Sequence, residues 1–173
     1  MNLQDISLIF EYNSWANARV MAACEGLEPA QFTIHILKTH GSIRHTLVHV
    51  LDAEYSWRDL LQHGTFAPEL AEADFADARA LSTRWHAEET SLLAFLASLT
   101  DADMNRVVRY VSDQGEVRDR IMWHCLLHVV NHGTQHRSEA AMLLTECGQS
   151  PGDLDFTVFL RARSATHAAS SRP

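Results

Sequence analysis

Between His124 and His136 a histidine stands at every fourth position: His124, His128, His132 and His136. An α-helix turns such a repeat into a row, because at 3.6 residues per turn positions i and i+4 lie on one face, about 6 Å apart along the axis. Cys125, Leu126, Leu127, Val129 and Val130 fill the gaps with apolar side chains, so the segment reads as a helix packed into a core. It is expected over about 119–146, with Gly148 ending it and Pro151 blocking any continuation.

The rest of the chain offers partners of the same kind. Leu8, Ile9, Tyr12, Trp15, Ala16, Val20 and Ala23 recur at helical spacing, which predicts a first helix over 3–25 stopped by Gly26. Glu28-Pro29 can open a short turn, and 33–40 reads as a connection. A second helix is expected at 43–62, capped from Gly41-Ser42 and bounded by Gly64, with Ile43, Leu47, Val50, Leu51, Trp57 and Leu61 on its apolar side. A third, at 75–99, carries Leu81, Trp85, Leu92, Phe95, Leu96 and Leu99.

At 106–118 the period changes. Val107-Val108-Arg109-Tyr110-Val111 is β-prone and Ser112-Asp113-Gln114-Gly115 has turn chemistry, which predicts a small extended or hairpin excursion before the long histidine-bearing helix. Asp153 to Arg163 reads as a short last helix, and 164–173 as a disordered tail. The fold class expected is all-α, a four-helix bundle in one domain over residues 1–163. Only 7 Gly and 4 Pro in 173 residues agree with a helix-rich chain.

A net charge of −8 argues against nucleic acid as a partner, since phosphate binding needs a basic stripe. No apolar run approaches the roughly 20 residues of a membrane span. Met1-Asn2-Leu3-Gln4-Asp5 shows neither the cationic start nor the apolar stretch of a signal peptide. Cys24, Cys125 and Cys147 are an odd number with no C-x-x-C pair, which fits reduced thiols. The expected location is therefore the cytoplasm.

Of 11 histidines, His35, His40, His63, His86 and His167 are scattered, and His45 and His49 form a pair. Two imidazoles at i and i+4 can converge on one ion through bonds of about 2.0–2.1 Å. Each step along the ladder drifts by about 40°, so its ends face about 120° apart and all four cannot share an ion. Three pairs remain: 124/128, 128/132 and 132/136. A third ligand must come from another helix. His49, flanked by apolar residues, is the best candidate, because a core-facing imidazole needs a partner; His45, one turn earlier, is its rival. His132-Gly133-Thr134-Gln135-His136 lacks the Glu that serves as general base in H-E-x-x-H.

Other side chains have plainer readings. Trp15, Trp57, Trp85 and Trp123 fit the core, with Trp15 and Trp57 also able to wall a pocket. Glu54 and Glu139 are candidate acceptors for imidazole N–H groups, though a surface or helix-pairing charge is the simpler role for each. Cys125 beside His124 is not a catalytic dyad, since neighbouring side chains diverge on a helix.

Tyr12-Asn13-Ser14-Trp15-Ala16-Asn17, His49-Val50-Leu51-Asp52-Ala53-Glu54-Tyr55-Ser56-Trp57, Asn131-His132-Gly133-Thr134-Gln135-His136-Arg137 and Gly152-Asp153-Leu154-Asp155-Phe156 together resemble the DinB/YfiT-like family of metal-dependent enzymes. The resemblance covers residues 3–162. It implies a four-helix bundle holding one divalent metal through His49, His132 and His136. Zinc or nickel are the first metals it suggests, with iron or manganese next. Asn131 and Arg137 also match, and His128 does loosely; Gln135 stands where many relatives have an aromatic residue. The resemblance further implies a homodimer and transferase chemistry, in which the metal activates a low-molecular-weight thiol to attack an electrophile. A metal-dependent hydrolase is the enzymatic alternative. A non-catalytic metal-binding protein of the stress response is an alternative of another class, since a fold does not fix a reaction.

Overall fold

Side-chain caps set the starts of three long helices in this chain. The computed structural model describes residues 1–35, 41–112 and 114–170, with the backbone alone for 167–170. The expected connection beyond His35, including His40, lies outside the described residues. So do Asp113 of the expected turn, the side chain of His167 and residues 171–173.

Helix α1 spans Leu3–Cys24. Asn2 accepts from the Asp5 amide at 2.8 Å while Asp5 accepts from the Asn2 amide at 3.1 Å, a reciprocal cap. A short helix, α2 (Pro29–Thr33), stands where a turn was expected. Helix α3 runs Ile43–His63, capped by Ser42 Oγ on the His45 amide and closed by Gly64 at φ +86°, a conformation that favours glycine. Helix α4, Ala78–Ala97, is shorter at both ends than the spacing suggests; at its start Asp77 caps it by accepting from the Ala80 amide at 2.8 Å.

Strands β1 (Val107–Val111) and β2 (Val117–Ile121) form an antiparallel hairpin. The long helix α5 therefore begins at Met122 rather than 119 and runs to Glu146. Strand pairing claims Asp119 and Arg120, and the Met122 amide still donates across to the Arg106 carbonyl at 2.9 Å. Helix α6 also differs from expectation. It starts at Phe156, after Asp153 and Asp155 have accepted from the backbone amides two residues on, and continues to Ser170. The residues between 164 and 170, read from sequence as a disordered tail, are helical.

Helices α1, α3, α4 and α5 make the bundle, with α3 packed most extensively on α5. Its interior is two apolar clusters rather than one. Ile6, Phe10, Leu96, Met104, Met122 and Leu126 belong to the first, and Val20, Ile43, Leu47, Leu51, Leu81 and Leu143 to the second. Between them every long helix contributes buried polar groups: Asn13 and Asn17 from α1, Glu54 from α3, Glu88 from α4, His136 and Arg137 from α5. Among the described residues no helix is long and apolar enough to cross a membrane.

Candidate metal centre

Where α3 crosses the middle of α5, His49 meets His132 and His136. The Nε2 atoms of His49 and His132 are 3.0 Å apart. Ring centroids are separated by 4.7 Å for His49–His132, 4.7 Å for His49–His136 and 4.5 Å for His132–His136. One nitrogen from each ring lies within 4.8 Å of the other two. With bonds of about 2.0–2.1 Å, two nitrogens on a common ion stand about 3.0 Å apart at a right angle and about 3.4 Å at the tetrahedral angle. The His49–His132 separation is in that range, and a His136 nitrogen lies within 4.8 Å of both. The donor set, three neutral imidazoles, suits first-row divalent metals. On both distance and chemistry the residues fit one ion.

The structure brings together one of the three pairs that spacing allowed. His128 lies one turn away with its ring 5.8 Å from His132, turned against Trp57 at 5.1 Å; partial burial lowers its pKa. His124 is exposed and stacks its edge on Trp123 at 4.1 Å. His45 is exposed and pairs with Glu72 at 3.1 Å. None of the three joins the cluster. Glu139 lies three residues on along α5, its Oε2 3.7 Å from His136 Nδ1, at ion-pair rather than hydrogen-bond distance.

Glu54 is neither a surface charge nor an imidazole acceptor; it is a helix-pairing charge, the remaining reading offered for it, and it joins α3 to α1 and α4. It is 1% exposed. Its Oε1 accepts from Asn13 Nδ2 at 2.6 Å and Asn17 Nδ2 at 2.9 Å, and its Oε2 accepts from the Trp85 indole at 2.7 Å. Three donors and no acceptor surround the carboxyl, an environment that the ionised form satisfies best. Burial pushes Glu54 above its ordinary value, and the Asn13 and Asn17 bonds, the Arg137 charge and the Trp85 bond oppose that.

Arg137, 1% exposed, completes the assembly. It donates to Asn13 Oδ1 at 2.6 Å, Asn17 Oδ1 at 2.8 Å and Thr134 Oγ1 at 3.0 Å. Burial pulls its pKa down and the Glu54 charge holds it up. The guanidinium lies so close over Gly133 that a Cβ there would stand 2.6 Å from it. The glycine between the two α5 histidines thus leaves room for the arginine that ties α5 to α1. Sequence reasoning missed Asn13, Asn17 and Trp85 as members of this assembly. Two asparagines at i and i+4 beside the apolar stripe of α1 were the available signal. Asn131, in contrast, is exposed.

A cavity of about 590 Å³ opens beside the histidines. His49 and His132 form its inner end, and Trp57 and His128 a side wall. Phe66 from the α3–α4 connection and Tyr110 from β1 also line it, each packed edge-on to Trp57 at 5.5 and 5.4 Å. Trp57 thus walls a pocket, as one of its sequence readings had it. Trp15 packs with Phe159 and Tyr12 elsewhere.

Comparisons with known proteins agree with this architecture. The family model described as the DinB family matches residues 1–168. The protein DinB of Bacillus subtilis is 24% identical over 157 residues, spanning 88% of this chain and 91% of the relative. A crystal structure of a DinB-like protein from Bacillus cereus superposes with a TM-score of 0.64 at 15% identity, covering 84% of this chain and 94% of that one.

Proposed function

The chain belongs to the DinB family, and from that premise we propose that His49, His132 and His136 hold one divalent metal ion which serves thiol-transfer chemistry in the adjoining cavity. The observation that carries this reading is the convergence of the three imidazole nitrogens within 4.8 Å. An ion bound there lowers the pKa of a thiol or water ligand and so supplies a nucleophile near neutral pH.

The chain's own residues would do the rest. Three imidazoles leave at least one coordination position for a small molecule, and the cavity meets the triad at His49 and His132. Glu139 beside His136 Nδ1 favours the tautomer whose Nε2 faces the ion. Phe66, Tyr110 and Trp57 exclude water from one flank of the cavity and offer apolar surface to an electrophile. The cavity favours this reading over a purely structural ion, for which an enclosed site with all positions filled by protein would be expected.

Metal analysis of the purified protein and of His49→Ala and His132→Ala tests the site. The expected result is about one ion per chain in the parent and loss in both variants; full retention in both would remove the assignment. Adding small thiols to the cobalt-substituted protein tests the chemistry, since a thiolate entering the coordination sphere changes the visible absorption. A spectrum indifferent to every thiol tried would leave the metal site standing and remove the transferase reading.

A further inference from the structure

We propose that the cavity beside the histidines selects ligands bearing a positively charged amine, the ammonium group sitting between Asp52 and Glu69 against the face of Trp57. This deepens the reading above and rests on it for the identity of the ligand's other end, a thiol.

The polarity of the wall is one-sided. Two carboxylates, Asp52 and Glu69, line the cavity, and its described lining contains no lysine or arginine. Asp52 lies three residues after His49 on α3, one turn along the same face. Its Oδ1 accepts from the Leu70 amide at 2.7 Å, a bond that draws the α3–α4 connection in and holds Glu69 over the cavity. Burial raises the Asp52 pKa, the Leu70 amide bond draws it down, and the charge of Glu69 adds to the rise. No ion pair to either is found among the described residues. Like charges held together without a counterion destabilise each other, and a bound cation relieves them.

The aromatic part of the lining suits the same ligand. Trp57, Phe66 and Tyr110 present aromatic surface, and a tryptophan face attracts an ammonium group electrostatically. Charge balance points the same way. A divalent ion on three neutral imidazoles, joined by a thiolate, keeps one positive charge, and the two carboxylates leave one negative charge over. A ligand with a single ammonium group neutralises the cavity, whereas an anionic tail makes the imbalance worse.

Cysteamine and 3-mercaptopropionate, which carry opposite charges two carbons from the thiol, separate these cases. Titrated into the cobalt-substituted protein and read by visible absorption, cysteamine is expected to bind about tenfold more tightly or better. In the double variant Asp52→Asn/Glu69→Gln the two thiols should come within about twofold of each other. Asp52→Asn keeps an oxygen to accept from Leu70, so the connection stays anchored. Equal binding in the parent, a preference for the acid, or a preference unchanged in the double variant would overturn the proposal. If neither thiol moves the cobalt spectrum, it is the thiol reading that fails. Charge selection is then read separately, by quenching of tryptophan fluorescence with phenethylammonium against 3-phenylpropionate. Tighter binding of the ammonium compound, lost in the double variant, upholds it, and indifference ends it.

Discussion

Arg137 and Glu54 share both of their asparagine partners: the guanidinium donates to the Oδ1 atoms of Asn13 and Asn17, and the amide nitrogens of the same two residues donate to Glu54 Oε1. Two opposite charges are thus joined through a pair of side chains on a third helix. Removing one charge strands the other in a dry interior, which costs about 3–5 kcal/mol. Arg137→Met is therefore expected to lower unfolding stability by that amount, measured by urea denaturation at pH 7. A change under about 1 kcal/mol would mean the network is not a stabilising unit.

The pH response of that variant follows from the direction of the Glu54 shift. A carboxyl raised above its ordinary value of 4.5 keeps its proton to higher pH in the folded state than in the unfolded chain. The folded state then binds more protons above that value, and the group's contribution to stability falls as pH rises through the window. Arg137→Met removes a charge that opposes the shift, so it widens the window. Lowering the pH from 7 to 5 should return part of the lost stability to Arg137→Met relative to the parent. Parallel stability curves for the two proteins would show that Glu54 does not titrate there.

Gly133→Ala places a methyl group 2.6 Å from the Arg137 Nη1, which has two hydrogen bonds to keep, in a guanidinium that makes three in all. Overpacking of this kind costs about 1–3 kcal/mol, and the displaced Arg137 lies one residue from His136. Both stability and metal affinity are expected to drop, the first seen by denaturation and the second by competition with a chelator. An alanine variant that matched the parent in both would show that the arginine has room to move.

Glu139→Gln leaves all three imidazoles in place while removing the charge beside His136 Nδ1. Metal affinity is expected to weaken by about 10–100-fold, with near-normal stoichiometry at saturating metal. Chelator competition gives the affinity; an unchanged value would assign Glu139 to the surface.

The thiols should divide by burial. Cys24 and Cys125 are buried, with pKa values pushed up to about 12 and about 11, while Cys147 is half-buried. Thiolate, not thiol, is the reactive form. The native protein is expected to react with a disulfide reagent at one thiol at pH 8 and at all three after unfolding. Three fast thiols in the native state would contradict the packing of α1 and of the first turns of α5.

The long helices, the caps at Ser42 and Gly64 and the hairpin could be read from local patterns, because period, capping chemistry and turn residues act over a few neighbours. The candidate site was legible in part. Fourfold spacing put the histidines on one face, yet spacing cannot say which way each ring turns. His128 leaves the cluster because Trp57, 71 residues earlier in the chain, packs against it. The Arg137 assembly was read least well. Its Arg137–Asn13 contact joins residues 124 positions apart, and a lone Glu54 or Asn13 in a helix carries no mark of the partner it will meet. The extent of α6 was missed because the small and polar residues after Arg163 lack an apolar stripe, although Ala165, Ala168 and Ala169 favour helix on propensity alone.

The polar layer between the two apolar clusters has a consequence for how the helices line up. Leucine and valine against leucine and valine tolerate sliding, since a shift of one turn, about 5.4 Å, exchanges one greasy contact for another. The layer does not tolerate it: a one-turn slip of α5 carries Arg137 away from both asparagines and moves His132 and His136 out of register with His49. Asn13, Asn17, Glu54 and Arg137 act as an index pin, admitting one alignment of α1, α3 and α5, the alignment in which His49, His132 and His136 converge.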